Sequence, residues 1–427
     1  MQSIHVIGAG LAGVEAAYYL AKKGIQVDLY EMRPVQKTPA HHSDFFGELV
    51  CSNSLKSKQL DNACGLLKQE MTAFGSLMIE AAYQTEVPAG NALSVDRDAF
   101  ASYITDKIKS HPLIRIHYGE VTQLPKGICI IATGPLTSEG LTKTIQGLIG
   151  EQFLSFFDAS APIIEKSSIN MDVAYIKSRY EQDSGSYINC AMDQAEYMAF
   201  YQALVSANIA PIHDFDTDYF SGCMPVEVMA KKGIDTLRYG PLKPRGLRRD
   251  ENHRPYAVVQ LRQDNAIGTL YNLVGFQTNL TYSEQRRVFR MIPGLENAEF
   301  VRYGLMHRNS YVCAPKVLNT HLQMNGHPHL FIAGQLSGVE GYVESAATGI
   351  LAAINAERLL KGKPLTEAPL ATILGSLIHY ITHTSVESFA PMNANFGIVF
   401  GANKHHRELT IEASSEAVKH WMEALRE

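Results

Sequence analysis

Short apolar runs alternate with stretches of helical spacing over the first third of the chain. Residues 4–7, apolar except for His5, predict a buried strand. Ala16, Ala17, Leu20 and Ala21 share one face and predict a helix over 14–23, and residues 27–30 predict a second strand. Leu66, Leu67, Met71, Phe74, Leu77, Met78 and Ala81 recur at helical spacing and predict one long helix over 66–82. The run Val87-Pro88-Ala89-Gly90 breaks it. Strands follow over 92–95, 114–118 and 127–132, with a helix over 100–108. Beyond about residue 161 this alternation fades. Residues 165–322 mix helices, such as 194–206, with strands, such as 257–261 and 271–276, and read as an inserted domain. The earlier rhythm returns at 330–333, a buried strand. A glycine loop and a small-residue helix follow it, and an amphipathic helix is predicted over 411–425.

Between the first strand and helix stand Gly8, Gly10 and Gly13, at the spacing G-x-G-x-x-G. Gly8 permits a tight turn, Gly10 lets a pyrophosphate approach the backbone, and Gly13 lets helix and strand pack closely. The helix N-terminus then offers N–H groups to phosphate. Glu31, at the end of the second strand, is placed to accept from ribose hydroxyls and would repel a 2′-phosphate. Residues Gly8, Ala9, Gly10, Leu11, Ala12, Gly13 and Glu31 are therefore the candidate dinucleotide site. A second strand ends in Ala132-Thr133-Gly134, where a two-dinucleotide flavoprotein touches its cofactor again, and this moves the expectation from NAD to FAD. The loop 334–341 and the helix after it, with Gly334, Gly341, Glu344 and Ser345, suit a flat ring whose edge gains negative charge.

Length and charge narrow the class. A chain of 427 residues predicts two domains, or one with a large insertion. The formal net charge is −5, so RNA would have to be held by a local basic patch. Such a patch is clustered at Lys231, Lys232, Arg238, Lys243, Arg245, Arg248 and Arg249, with Arg286, Arg287 and Arg290 further on. Six scattered cysteines form no C-x-x-C pair, which argues against zinc, and no metal site is expected. No signal peptide or membrane-spanning run is visible, so the expected setting is a reducing cytoplasm with free thiols. Two of those thiols stand out. Cys51 lies among Ser52, Asn53 and Ser54, which predict a turn or a helix start that would stabilise a thiolate. Cys223 lies between Gly222 and Met224-Pro225, which predict a shaped loop.

These blocks together carry a resemblance. VIGAGLAGVEAA, LVCSNSL, VDRDAF, ATGPLTS, GCMPVEVMA, GFQTNL, MIPGLENAEFVRYG, MHRNSY and GVEGYVESAATG follow in order over nearly the whole chain. The chain resembles the TrmFO family of folate- and FAD-dependent tRNA uracil-5-methyltransferases. A more distant likeness is to the GidA/MnmG wobble-uridine flavoproteins, which are longer and carry a further C-terminal RNA-binding region. The resemblance implies an α/β fold: a Rossmann-like FAD-binding domain of the GidA-like flavoprotein kind, residues 1–160 with 323–427, and an inserted α+β domain, 161–322, on the RNA and folate side. It implies methylation at C5 of a T-arm uridine in tRNA, with 5,10-methylenetetrahydrofolate as carbon donor and FAD reduced by NADH or NADPH. No obligatory protein partner and no membrane are implied.

The family's two reactive cysteines fall on Cys51 and Cys223. Uracil C5 does not attack a methylene carbon unaided, and a thiolate adding to C6 makes it enolate-like. A base must then take the C5 proton. Cys223 is assigned as the nucleophile and Cys51 as general base or auxiliary thiol. His307 and Arg308 are the candidate folate contacts. Two other readings stay open: the same chemistry on a ribosomal RNA uridine, and a tRNA-binding or wobble-modifying flavoprotein of the GidA type. A pure binder has no need of the two cysteine loops.

Overall fold

The strand Ile4–Ile7 lies inside a six-stranded sheet whose order is Gln323–Met324, His327–Ile332, Cys129–Ile131, Ile4–Ile7, Val27–Glu31, Ile114–Tyr118. All of its pairings are parallel except the first, which is antiparallel. The structure is a computed structural model that describes residues 3–426, apart from 39, 151–152, 180–185, 211–223, 251–253 and 403–405. The side chains of 153–158, 307 and 308 are also left aside.

The glycines set how closely the first sheet and its helices approach. Gly8 has φ +99°, and a Cβ there would stand 2.6 Å from the carbonyl oxygen of Ala132. A Cβ on Gly13 would stand 1.8 Å from the oxygen of Gly8. The first helix therefore begins earlier than its apolar face predicts, at Leu11–Lys22. It crosses the long helix Tyr342–Leu360 at Ala12, where a Cβ on Gly349 would come within 2.2 Å of the Ala12 oxygen. Small residues at that crossing let two backbones touch, which is why the later helix is rich in them.

The predicted helix over 66–82 is two helices, Ala63–Ala73 and Leu77–Gln84. Gly75 turns the chain with φ +70°, and the Ser76 hydroxyl accepts the N–H of Ile79 as a new N-cap. Apolar spacing survives the break because both helices face the same core. Each end is also held by a buried carboxylate. Glu15 accepts from the Ser76 hydroxyl and from the N–H of Met78 at 2.7 Å. Glu70 accepts from the N–H groups of Ile373 and Leu374 and from the Ser414 hydroxyl, at 2.7, 3.1 and 2.7 Å.

A second sheet is antiparallel, in the order Tyr175–Ile176, Tyr187–Met192, Ala257–Gln263, Leu270–Leu273, Ile163–Glu165, Phe300–Arg302. It has its own core, built from Ala161, Ile164, Phe200, Val259, Phe276, Phe289 and neighbours. The chain passes between the cores on two antiparallel strands, Phe153–Ala159 and Met306–Val312. Tyr311, Val312, Cys313, Val317 and Leu322 already pack into the first core. A division at 322 would cut through that packing, so we infer that the inserted unit ends where Met306–Val312 begins.

Burial pushes the Glu70 carboxyl up to about 7, despite its three donors. The native chain thus keeps a proton there that the unfolded chain releases near the ordinary 4.5. Stability from this group is full below the unfolded value and is lost as pH rises toward 7. In a Glu70→Gln variant the lost hydrogen bond should lower stability, and the deficit should shrink as pH rises from 4.5 to 7, by at most about 1.4 kcal/mol per pH unit. Urea unfolding of both proteins at pH 5, 6 and 7 checks this; a deficit that grows with pH contradicts it.

Candidate active site

Two clefts open at the carboxyl ends of the parallel strands, where ligands bind in sheets of this kind. The first, of about 560 Å³, is lined by Gly8, Gly10, Tyr30, Glu31, Arg33 and Thr133, among others. A Cβ on Gly10 would meet nothing within 4 Å. The fold itself would accept a side chain there, so the space belongs to whatever fills the cleft. Gly10 is the N-cap of the first helix and offers no side-chain cap, leaving that N-terminus to hold an anion. Glu31 closes the far wall. Its Oε2 accepts the N–H of Ala9 at 2.9 Å, and its Oε1 accepts both the N–H and Nε of Arg33, at 3.0 and 2.9 Å. Burial works to raise this carboxyl, but the bonds from Arg33 and Ala9 outweigh it and hold it below the usual carboxylate range. Glu31 is thus a buried anion lining the cleft, which suits ribose hydroxyls.

The second cleft, of about 1060 Å³, is lined by Cys51, Lys56, Arg262, Gln277, Tyr342 and Glu344, among others. Cys51 stands on a bend before the strand Ser54–Ser57; of the expected turn or helix start it is the non-helical one, and no helix N-terminus serves this thiol. Other groups position it. The Tyr342 hydroxyl accepts the N–H of Cys51 at 2.7 Å and of Ser52 at 3.1 Å. Burial pushes that phenol far up, which keeps it neutral. The Cys51 thiol donates to the carbonyl of Ala159 at 3.7 Å. Arg262 donates to Asn53 Oδ1 at 3.1 Å and to the Ser52 hydroxyl at 2.6 Å. Asn53 in turn donates to the carbonyls of Val95 and Gln263, both at 2.9 Å. Arg97 forks onto Asp264 at 3.0 and 3.3 Å and donates to the Leu49 carbonyl. Both guanidiniums are buried, and both interact electrostatically with Cys51.

Glu344 lies fully buried in the same wall. Its Oε1 takes Lys56 Nζ at 2.9 Å and the N–H of Ala394 at 3.0 Å, while its Oε2 has no hydrogen-bond partner. A buried carboxylate oxygen lining a cleft asks for a donor from a ligand. The remaining expected residues divide clearly. Gly134, with φ +68°, lies between Thr133 of the first cleft and Pro135 of the second. Gly341 lines the second cleft, and Gly334, with φ +77°, precedes Gln335 on its wall. Ala9, Leu11 and Ala12 are buried; Ala12 and Gly13 serve helix packing, and the Ser345 hydroxyl donates to the Gly341 carbonyl at 2.7 Å. The backbone of His307 and Arg308 runs in the strand Met306–Val312, and Asn309 beside them lines the second cleft. Cys223 lies outside the described residues.

Tyr342, Arg97, Arg262 and Lys56 carry much of this site but show no local signal as site residues. Tyr342 stands inside the glycine block, yet nothing in its neighbours points to Cys51, 291 positions away in the chain.

The family described as glucose inhibited division protein A matches residues 3–364. A Listeria monocytogenes protein named methylenetetrahydrofolate--tRNA-(uracil-5-)-methyltransferase TrmFO is 55% identical over 99% of this chain and 100% of its own. Proteins of the same name from Enterococcus faecalis and Bacillus subtilis are 57% and 55% identical, each over 93% of this chain and 92% of theirs. The chain belongs to the TrmFO family, within the glucose inhibited division protein A group. In fold this TrmFO-family chain is similar to Aquifex aeolicus GidA, with a TM-score of 0.69 at 18% identity over 98% of this chain and 78% of that one. The likeness bears out a GidA-like α/β flavoprotein fold. Among the described residues no helix is long and apolar enough to cross a membrane, and no group of His, Cys, Asp or Glu could hold a metal ion.

If Arg262 supplies positive potential at Cys51, Arg262→Met should slow alkylation of Cys51 by iodoacetamide at pH 7.5 several-fold. Peptide mapping after timed labelling reads this directly, with the buried Cys64 and Cys129 as internal controls. Equal rates would show that the guanidinium only positions the loop.

Proposed function

We propose that this chain transfers a one-carbon unit from 5,10-methylenetetrahydrofolate to C5 of a uridine in tRNA. The observation that carries this reading is the presence of relatives with that activity in their name at 54–57% identity over nearly the whole length. The cleft around Cys51 supports it independently, because its lining presents a thiol, a neutral phenol, the buried Arg262 guanidinium and an ammonium. FAD is the cofactor of this reading. The open space at Gly10, the uncapped helix end and the Glu31 wall fit its ADP half, and the partnerless Glu344 oxygen fits a donor on its ring. When bound, FAD supplies the electrons, received from NADH or NADPH, that take a methylene to a methyl group.

The chain's own groups do the rest. Cys223 adds to uracil C6, so that C5 becomes the nucleophile toward the methylene carbon. Cys51 takes the C5 proton as the carrier nitrogen leaves the transferred carbon, and the Cys223 thiolate leaves C6 when the resulting exocyclic methylene is reduced to methyl. Val226, three positions after Cys223, donates its N–H to the carbonyl of Gln277 at 2.7 Å, and Gln277 lines the Cys51 cleft. Glu227 clamps the same segment, accepting from the Thr278 hydroxyl at 2.8 Å and the N–H of Asn279 at 2.7 Å. His307 and Arg308 are assigned to folate, next to Asn309 on the cleft wall. Arg238, Lys243, Arg245 and Arg248 line a separate cleft of about 770 Å³ with Tyr239 and Arg254, and this surface suits an RNA backbone in the T-arm.

Nucleoside mass spectrometry after reaction with defined RNAs tests the reading. Unmodified tRNA transcript, 5,10-methylenetetrahydrofolate and NADPH should yield 5-methyluridine in the T-arm, while ribosomal RNA fragments should not. Methylation of the ribosomal fragments alone would move the substrate without moving the chemistry. With 5-fluorouridine at the target, an adduct should survive denaturation on Cys223, and Cys223→Ser should abolish both adduct and methylation. Finding the adduct on Cys51 would exchange the two thiols.

Gly10→Val tests the cofactor. A Cβ there meets nothing within 4 Å, so the fold should persist while FAD is lost from the purified protein. Full FAD content in that variant, read by absorbance after release, would reject the placement.

A further inference from the structure

Three aromatic rings stand nearly parallel where the helix Tyr282–Phe289 meets the last strand of the second sheet. Tyr303 lies between Phe300 and Tyr282. Its ring centre is 5.3 Å from Phe300 with planes 11° apart, and 4.7 Å from Tyr282 with planes 19° apart. Arg286 holds the middle ring, donating to the Tyr303 hydroxyl through Nε at 3.2 Å and through its terminal amino group. The inner ring is partly covered, but Tyr282 is 55% exposed. Tyr282 and Tyr303 line a cleft of about 1510 Å³ together with His42, Arg302 and Val50. Val50 also lines the cleft of Cys51, so the two spaces are neighbours across one residue.

The acids of this cleft are largely engaged by the protein. Asp264 takes Arg97, and Glu48 takes Arg33, the Ser43 hydroxyl and the N–H of His42. Asp96 takes the N–H groups of Ala99 and Ala266. Asp98 is the further carboxylate on that wall, which suits the amino edge of a base better than a phosphate. A uridine whose C6 must meet a thiol has to leave its stack, and its neighbour then lacks a stacking partner. Single-stranded RNA is commonly held by bases lying on aromatic rings, which tolerate any base but need an open ring face.

We propose that Phe300, Tyr303 and Tyr282 form a stacking platform for an unpaired base of the RNA substrate, adjacent to the target uridine. This rests on the tRNA reading above and deepens it. The platform holds a base through Tyr282, while Tyr303 and Phe300 back that ring and Arg286 fixes Tyr303.

The test uses the full chain and unmodified tRNA transcripts carrying 2-aminopurine at single positions flanking the target. In the parent protein at least one flanking position should show quenched fluorescence on binding. Tyr282→Ala should remove the quench and weaken tRNA binding by about tenfold or more, while Tyr282→Phe and Tyr282→Trp retain both. The Ala variant should raise KM for tRNA and leave the single-turnover rate of the saturated complex near parental. The salt slope of binding should not change, because no phosphate contact is lost. Should Tyr282→Ala unfold early, the quench in the parent and its retention in Tyr282→Phe decide alone. Absence of a quench at every flanking position, or parental affinity in Tyr282→Ala, overturns the platform. If the parent methylates no tRNA, the substrate reading itself falls and the platform with it; if it methylates tRNA and Tyr282→Ala matches it in KM, only the platform falls.

Discussion

Two buried guanidiniums fix the geometry on which the candidate site depends. Arg97 belongs to a helix of the first core and reaches Asp264, just past the end of a second-sheet strand; Arg262 belongs to that strand and reaches Ser52 and Asn53. A buried charge tolerates little freedom, because every donor left unpaired is penalised. Removing one partner of such a pair costs about 3–5 kcal/mol. The segment that carries Cys51 is therefore clamped from both sides, and the two cores hold a defined mutual position where they meet it.

That clamp has a chemical consequence. Cys51 is neither on a helix start nor in an apolar interior. It lies against a neutral phenol that engages its backbone, with the charges of Arg97 and Arg262 close by. The other buried thiols show the contrast: burial alone pushes Cys129 up to about 12, and Cys190 lies there also, with burial as the main cause. The chain thus separates a thiol in a polar, charged setting from thiols that act as small apolar side chains. Lys56 and Glu344 make a second ion pair at the same cleft, between an exposed lysine and a buried carboxylate; desolvation works to lower the lysine, and the facing carboxylate outweighs it and holds the charge.

The dinucleotide half of the fold is governed by contact distances instead of charge. Gly8, Gly13 and Gly349 each stand where a Cβ would enter a backbone oxygen, so the first helix, the sheet edge and the long later helix meet without side chains between them. Gly10 differs, since its missing side chain leaves space on a cleft wall. One motif therefore combines two requirements, packing at Gly8 and Gly13 and ligand access at Gly10.

Much of this was legible in the chain before folding. The strand–helix–strand unit, its glycines and Glu31 are a local pattern, and local sterics set them, so the parallel sheet and the first cleft follow from contiguous residues. In the second sheet only the strands at 257–261 and 271–276 were read, and both fall on strands of the structure, Ala257–Gln263 and Leu270–Leu273; the other four carried too short or too mixed a pattern. The helix over 66–82 was misread because apolar spacing cannot see a break that leaves both halves on one core; Gly75 and the Ser76 cap were the only marks of it. The return crossing into the first core at Tyr311 was missed for a similar reason, since apolar residues do not say which core they enter. Cys51 stood out by its polar neighbours, yet its environment comes from Arg97, Arg262 and Tyr342, which lie between 46 and 291 positions away and carry no mark in their own neighbourhoods. Sequence alone determines what local geometry requires: the glycine turn, the strand–helix–strand unit around it and the residue types for thiol chemistry. Which charges surround a thiol, which ring faces a cleft and where two cores are clamped depend on contacts between distant segments, and only the tertiary structure decides them.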